Sequence, residues 1–104
     1  MSNYSQSAEA FELVDGHILR CNCRNMNGDY VPSELDLDTI IGNNDGQFAW
    51  GGQGWSQGAG NPNLEEGWRL TADLPGSDGG PRDRATIDLN EKIGNENGQL
   101  VYSG

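Results

Sequence analysis

A chain of 104 residues with 16 acidic and 6 basic side chains carries a formal charge of -10, which excludes nucleic acid as a partner because phosphates need a basic surface. The same charge disfavours anionic membranes, and no apolar run approaches the roughly 18 residues of a membrane span, so no membrane insertion is expected. The length suits one small domain that buries roughly 60 to 65 per cent of its unfolded surface, and 16 glycines point to many turns.

The start, MSNYSQSAEAF, has neither the basic residues nor the apolar core of an export signal, so a cytoplasmic location is expected. From Phe11 to Cys23 the pattern predicts a hairpin: FELV, then Asp15-Gly16 as the turn, then HILRCNC. Cys21 and Cys23 lie two apart, so a strand puts them on one face in a geometry unsuited to a mutual disulfide. They are expected to be free thiols, one or both buried, as in a reducing compartment. Two cysteines and the lone His17 cannot fill a zinc set, so no metal or cofactor is expected. His17 itself reads as ordinary strand surface.

Asn27-Gly28-Asp29 is the next turn, and YVPSELDLDTII begins extended, with Pro32 ruling out a central strand position. Leu37, Ile40 and Ile41 are spaced for one helical turn, with Asp36 as its cap. Gly42-Asn43-Asn44-Asp45-Gly46 reads as a tight turn into the strand QFAW, and Gly51 to Gly54 separates two halves. Ser56 to Gly60 reads as flexible, Gly-rich chain, and Trp55 and Trp68, bracketing GNPNLEEG, as core residues. A strand from Trp68 to Leu74, the loop PGSDGGPRDR, ATIDLNEKI, the turn GNENG and the strand QLVY complete the chain. Short strands at close spacing predict an all-β fold with short helical turns.

LDLDTIIGNNDGQFAW, from Leu35 to Trp50, returns 52 residues later as IDLNEKIGNENGQLVY, from Ile87 to Tyr102. DGHILRCNC, from Asp15, lines up with EGWRLTADL, from Glu66. The chain is therefore two copies of one unit, approximately 1–50 and 51–104, too small to hold separate cores and so expected to share one across 1–104. Trp50 and Tyr102 occupy equivalent positions and read as core, ahead of an exposed stacking role.

These two motifs, with NGDY ahead of the first, resemble the cyanovirin-N homology (CVNH) family over nearly the whole chain, and its fungal branch in particular. The resemblance implies a pseudo-symmetric tandem repeat of three-stranded sheets and β-hairpins, with strands exchanged between the halves. Of the four positions that form two disulfides in the founding member, only Cys23 is retained, with Ala8, Ala59 and Leu74 at the others. The family implies a metal-independent lectin for mannose-type oligosaccharides, and no enzyme. A lectin needs amides, carboxylates and backbone groups held at fixed angles to meet sugar hydroxyls.

Carried over, the favoured pocket takes Gly42, Asn43, Asn44, Asp45 and Gly46 from the first-copy turn, and Gln53, Gly54, Gln57 and Gly58 from the linker. Its third wall is the loop after Leu74, with Pro75, Gly76, Ser77 and Asp78, and with Arg82 or Arg84 as a replacement cation. The second pocket takes Asn3, Gln6 and Ser7, then Arg24 and Met26, then Asn95, Glu96, Asn97 and Gly98. Arg24 and Met26 depart from the family's chemistry, which ranks this pocket second.

The alternatives are a scaffold with degenerate sugar sites, a glycoside hydrolase and a calcium module. A hydrolase needs two carboxylates about 5 to 10 Å apart in a cleft, and the calcium loop pattern is missing. The expected partner is a mannose-containing glycan. The expected state is a monomer, with a strand-swapped dimer open to the glycine linker.

Overall fold

The computed structural model describes residues 4–76 and 83–103. In the first repeat a 3-10 helix at Tyr4–Ser7 leads into β1 (Ala8–Val14), β2 (Ile18–Arg24) and β3 (Tyr30–Asp36), then a 3-10 turn at Leu37–Thr39 and the hairpin β4 (Ile41–Asn44) and β5 (Gln47–Trp50). The second repeat runs through β6 (Gly60–Glu65), β7 (Arg69–Leu74) and β8 (Asp83–Asp88), a 3-10 turn at Leu89–Glu91, then β9 (Ile93–Glu96) and β10 (Gln99–Tyr102). Each repeat thus gives one three-stranded antiparallel sheet and one hairpin.

Local chemistry explains most of these elements. The dipeptides Asp15-Gly16, Asp45-Gly46, Glu66-Gly67 and Asn97-Gly98 all hold φ between 50 and 91°, the left-handed pair that a two-residue hairpin turn needs. Asp36 and Asp88 cap the two 3-10 turns by accepting from the backbone N–H of Asp38 (3.0 Å) and Asn90 (2.8 Å). Pro32 lies on β3, the edge strand of its sheet, where its missing N–H costs no ladder bond.

Several expectations need correcting. Gly42 to Asn44 belong to β4 and Gly94 to Glu96 to β9, so the turns narrow to Asp45-Gly46 and Asn97-Gly98. Strand β6 is absent from the sequence reading, because Gly60-Asn61-Pro62-Asn63 has the composition of a loop. It pairs with β7 through a register shift between Gly60 and Asn63, with Asn61 at φ 50°. Its counterpart β1 carries the same bulge at Ala10, φ 59°. Ser56 is not loose chain: its backbone N–H donates to Asp38 Oδ1 (2.9 Å) and its hydroxyl to Asp38 Oδ2.

Alternation along β2 buries Leu19, Cys21 and Cys23, and β7 buries Leu70, Ala72 and Leu74. With Leu37, Ile41, Leu89, Ile93, Tyr4 and Trp55 they form one cluster drawn from both repeats. The hairpins cross over, β5 against β8 and β10 against β3, and the Leu100 N–H donates to Ser33 Oγ at 3.0 Å. Trp50 and Tyr102 stack on each other at 5.7 Å, in keeping with core packing.

Both thiols are free and buried, with Sγ atoms 3.5 Å apart. Ala8 is the cross-strand neighbour of Cys23, so the position of one family bridge is filled by a methyl group. Burial pushes both thiols and the Tyr4 phenol above their ordinary values of 9.0 and 10.0. The unfolded chain releases these protons near those values while the folded chain keeps them, so stability falls as pH rises through that window. Urea unfolding from about pH 8 to about pH 10.5 is expected to show this loss. A Cys21→Val/Cys23→Val double variant keeps only the Tyr4 part. A flat wild-type profile contradicts the burial.

Candidate functional site

At one end of the molecule, three segments separated in sequence converge. The Asn43 amide accepts the Gly46 N–H at 2.8 Å through Oδ1 and donates through Nδ2 to the Pro75 carbonyl at 3.0 Å. One side chain thus closes the turn and ties it to the loop after β7. Gly42 and Gly52 meet back to back, so that a methyl group on Gly42 would lie 2.9 Å from the Gln53 backbone nitrogen. Gly42 is buried and lets the linker close against β4, while Asn44, Asp45, Gln53 and Gln57 remain exposed.

The linker is held from behind. The Gly54 N–H donates to the Asp38 carbonyl (2.8 Å) and the Trp55 N–H to the Ile41 carbonyl (3.2 Å). A methyl group added at Gly54 would meet the Gln57 amide at 3.5 Å, and one at Gly58 would meet the Pro75 ring at 3.6 Å. Gly76 borders Gly46. Of the remaining residues expected here, Ser77, Asp78 and Arg82 lie outside the described residues. Arg84 does not swing into the loop: it sits on β8 and donates to Asn61 O (2.8 Å) and Thr71 Oγ1 (2.7 Å), with Asp73 at 3.3 Å.

The opposite end repeats the construction with different side chains. Asn95 Oδ1 accepts the Gly98 N–H at 2.9 Å, and its Nδ2 donates to Ser7 Oγ and to the Arg24 carbonyl, each at 2.9 Å. Asn97 Oδ1 accepts the Met26 N–H at 2.9 Å. Gln6, Glu96 and Arg24 are exposed, and Met26 is 86% exposed. Asn3 lies outside the described residues. Both ends therefore offer amides, carboxylates and backbone groups fixed by two-residue turns, a set that can donate to and accept from neutral hydroxyls.

Sequence reasoning missed the residues that fasten each end. Asp38 grips Ser56 in one half, and in the other Asn90 accepts from the Ser5 N–H (3.1 Å) and donates to Ser5 Oγ (2.7 Å). The signal was present: YSQSA from Tyr4 returns as WSQGA from Trp55, which makes Gln6 and Gln57 equivalent. Asn25, also missed, accepts from the Asn27 and Asp29 N–H groups and shapes the loop that carries Met26.

His17 requires a correction. It closes the β1–β2 turn, and its Nδ1 lies 2.8 Å from Asp36 Oδ1 and 3.6 Å from Asp38 Oδ2. The hydrogen bond to Asp36 raises its pKa above the usual 6.5, with the charges of Asp36, Asp38 and Asp15 adding and partial desolvation opposing.

A profile of the CVNH domain matches residues 4–101. A cyanovirin-N homolog of the fungus Tuber borchii is 48% identical over 103 residues, covering 98% of this chain and 99% of the relative. A variant of MoCVNH3 in complex with (N-GlcNAc)4 superposes with a TM-score of 0.89 at 26% identity, over 97% of both chains. Microvirin in complex with mannobiose gives a TM-score of 0.83 at 29% identity, over 99% of this chain and 100% of the other.

Proposed function

Because this chain belongs to the CVNH family, a family of carbohydrate-binding lectins, we propose that it binds mannose-type oligosaccharides, chiefly at the Asn43–Gly46 end and without a metal. The observation that carries this is the convergence there of Asn44, Asp45, Gln53 and Gln57, all exposed, on a turn that Asn43 locks to the Pro75 loop. The turn and linker backbones that carry these groups are already held by Asn43 and by the Gly54 and Trp55 N–H bonds, which limits the backbone entropy cost of binding. About five hydrogen bonds of roughly 1 kcal/mol each give a single pocket millimolar to micromolar affinity. Engagement of both ends of a branched glycan would add avidity.

The lectin reading involves no catalytic step. Two unbridged thiols suit action in a reducing compartment, and we propose a monomer as the acting species. The test is an NMR titration in chelator with a dimannoside and, separately, with (N-GlcNAc)4. Dimannoside shifts are expected between Asn43 and Gln57, and Asn44→Ala or Gln57→Ala is expected to weaken binding about 3- to 10-fold. Shifts confined to Gln6, Arg24 and Asn95 to Gly98 would reverse the ranking of the ends. A response to (N-GlcNAc)4 alone would overturn mannose as the ligand. Silence toward both favours a scaffold with degenerate sites, a reading that the exposed Met26 supports at the other end.

A further inference from the structure

The cluster of His17, Asp36 and Asp38 is larger than the fold requires. The second repeat supplies an internal control, because its equivalent positions are Trp68, Asp88 and Asn90. Asp88 caps its 3-10 turn as Asp36 does, and Asn90 grips Ser5 as Asp38 grips Ser56. The scaffold therefore works with one carboxylate and an amide, and with no imidazole. What the first repeat adds is one ring nitrogen directed at two carboxylate oxygens. An Nδ1–H satisfies the Asp36 oxygen at 2.8 Å but leaves the Asp38 oxygen, at 3.6 Å, beyond hydrogen-bond distance, whereas a metal ion placed among the three atoms engages all of them.

We propose that His17 Nδ1, Asp36 Oδ1 and Asp38 Oδ2 form a binding site for a divalent transition metal of the zinc class. Zinc ligands about 2.0 to 2.1 Å from the metal lie about 3.3 Å apart at tetrahedral angles. Nδ1 is 2.8 and 3.6 Å from the two oxygens, and all three ligand atoms fall within 4.8 Å of one another. Small movements of these partly exposed side chains reach the tetrahedral edge. The carboxylates are already oriented, Asp36 by the Asp38 N–H and Asp38 by the two bonds from Ser56, the supporting contacts that metal ligands usually have. An imidazole among the donors selects zinc-class ions over calcium or magnesium, which prefer oxygen alone. Three protein donors leave a fourth position for water. None of the three donors is among the residues proposed to touch sugar, although Asp38 also fastens the linker through Ser56, so His17→Gln is the variant that leaves that fastening intact.

The protein, stripped with chelator, is titrated with zinc chloride and with calcium chloride, reading calorimetric stoichiometry, thermal midpoint and the His17 ring nitrogen shifts. One zinc per chain is expected, with a raised midpoint, a shift at Nδ1, and calcium at least about tenfold weaker. His17→Gln and Asp38→Asn are each expected to weaken zinc binding about tenfold or more. The second repeat folds with Asn at the latter position. Zinc binding unchanged in both variants, calcium equal to zinc, or no Nδ1 shift at millimolar zinc would each overturn the site.

Discussion

Trp55→Ala is expected to lower the unfolding free energy by about 3 to 5 kcal/mol, the usual cost of deleting a fully buried large aromatic ring. Trp55 is fully buried, packs edge-on against Phe48 with centroids 5.4 Å apart, and anchors the linker to Ile41. A domain of this size is stable by only about 5 to 15 kcal/mol, so the loss consumes much of the total. Trp55→Phe separates packing from hydrogen bonding. The indole Nε1 has no hydrogen-bond partner among the described residues, so this variant loses volume but also removes an unpaired buried donor, and its net cost is expected to stay under about 2 kcal/mol. Urea midpoints measure both. A Trp55→Ala loss under about 1 kcal/mol would mean that the ring is not in the core.

Gly67→Ala is expected to cost about 3 kcal/mol, against about 1 kcal/mol for Gly16→Ala. The two glycines are equivalent in the repeats and share nearly one backbone conformation, φ +82 and +80°. Their surroundings differ. A methyl group on Gly67 would lie 2.4 Å from Phe11 Cδ2, and that ring is held edge-on against Tyr4 at 5.9 Å. On Gly16 the nearest atom is Pro62 Cγ at 3.5 Å, an ordinary contact. Both variants carry the left-handed strain, and only the first adds overpacking. In a double-mutant cycle, Phe11→Ala should remove most of the difference. Equal costs at the two glycines would refute the clash.

The elements that the sequence made legible are those whose cause is local. Asp15-Gly16 and Asp36 act within a few residues, so a turn and a cap could be read from the dipeptide or from spacing. Strand β6 fails that test, since Asn61 and Pro62 discourage a strand and only pairing with β7 holds one there. His17 shows the same limit: its partners lie 19 and 21 residues away, on the far side of a sheet connection.

The candidate sites divide along the same line. The turns Asp45-Gly46 and Asn97-Gly98 were visible, as were the exposed amides beside them. The fastening of Asn43 to Pro75 and of Asn95 to Ser7, across 32 and 88 residues, was not.

By itself, the sequence determined the repeat, the all-β class, the turn positions, the free thiols and the family, because periodicity, dipeptide geometry and motif spacing are written in neighbouring residues. Only the tertiary structure decided which segments meet: the linker closing over Gly42, Arg84 held on β8, and two carboxylates gathered at His17. Contacts between distant residues depend on where the whole chain folds back, and side-chain chemistry alone does not fix that path.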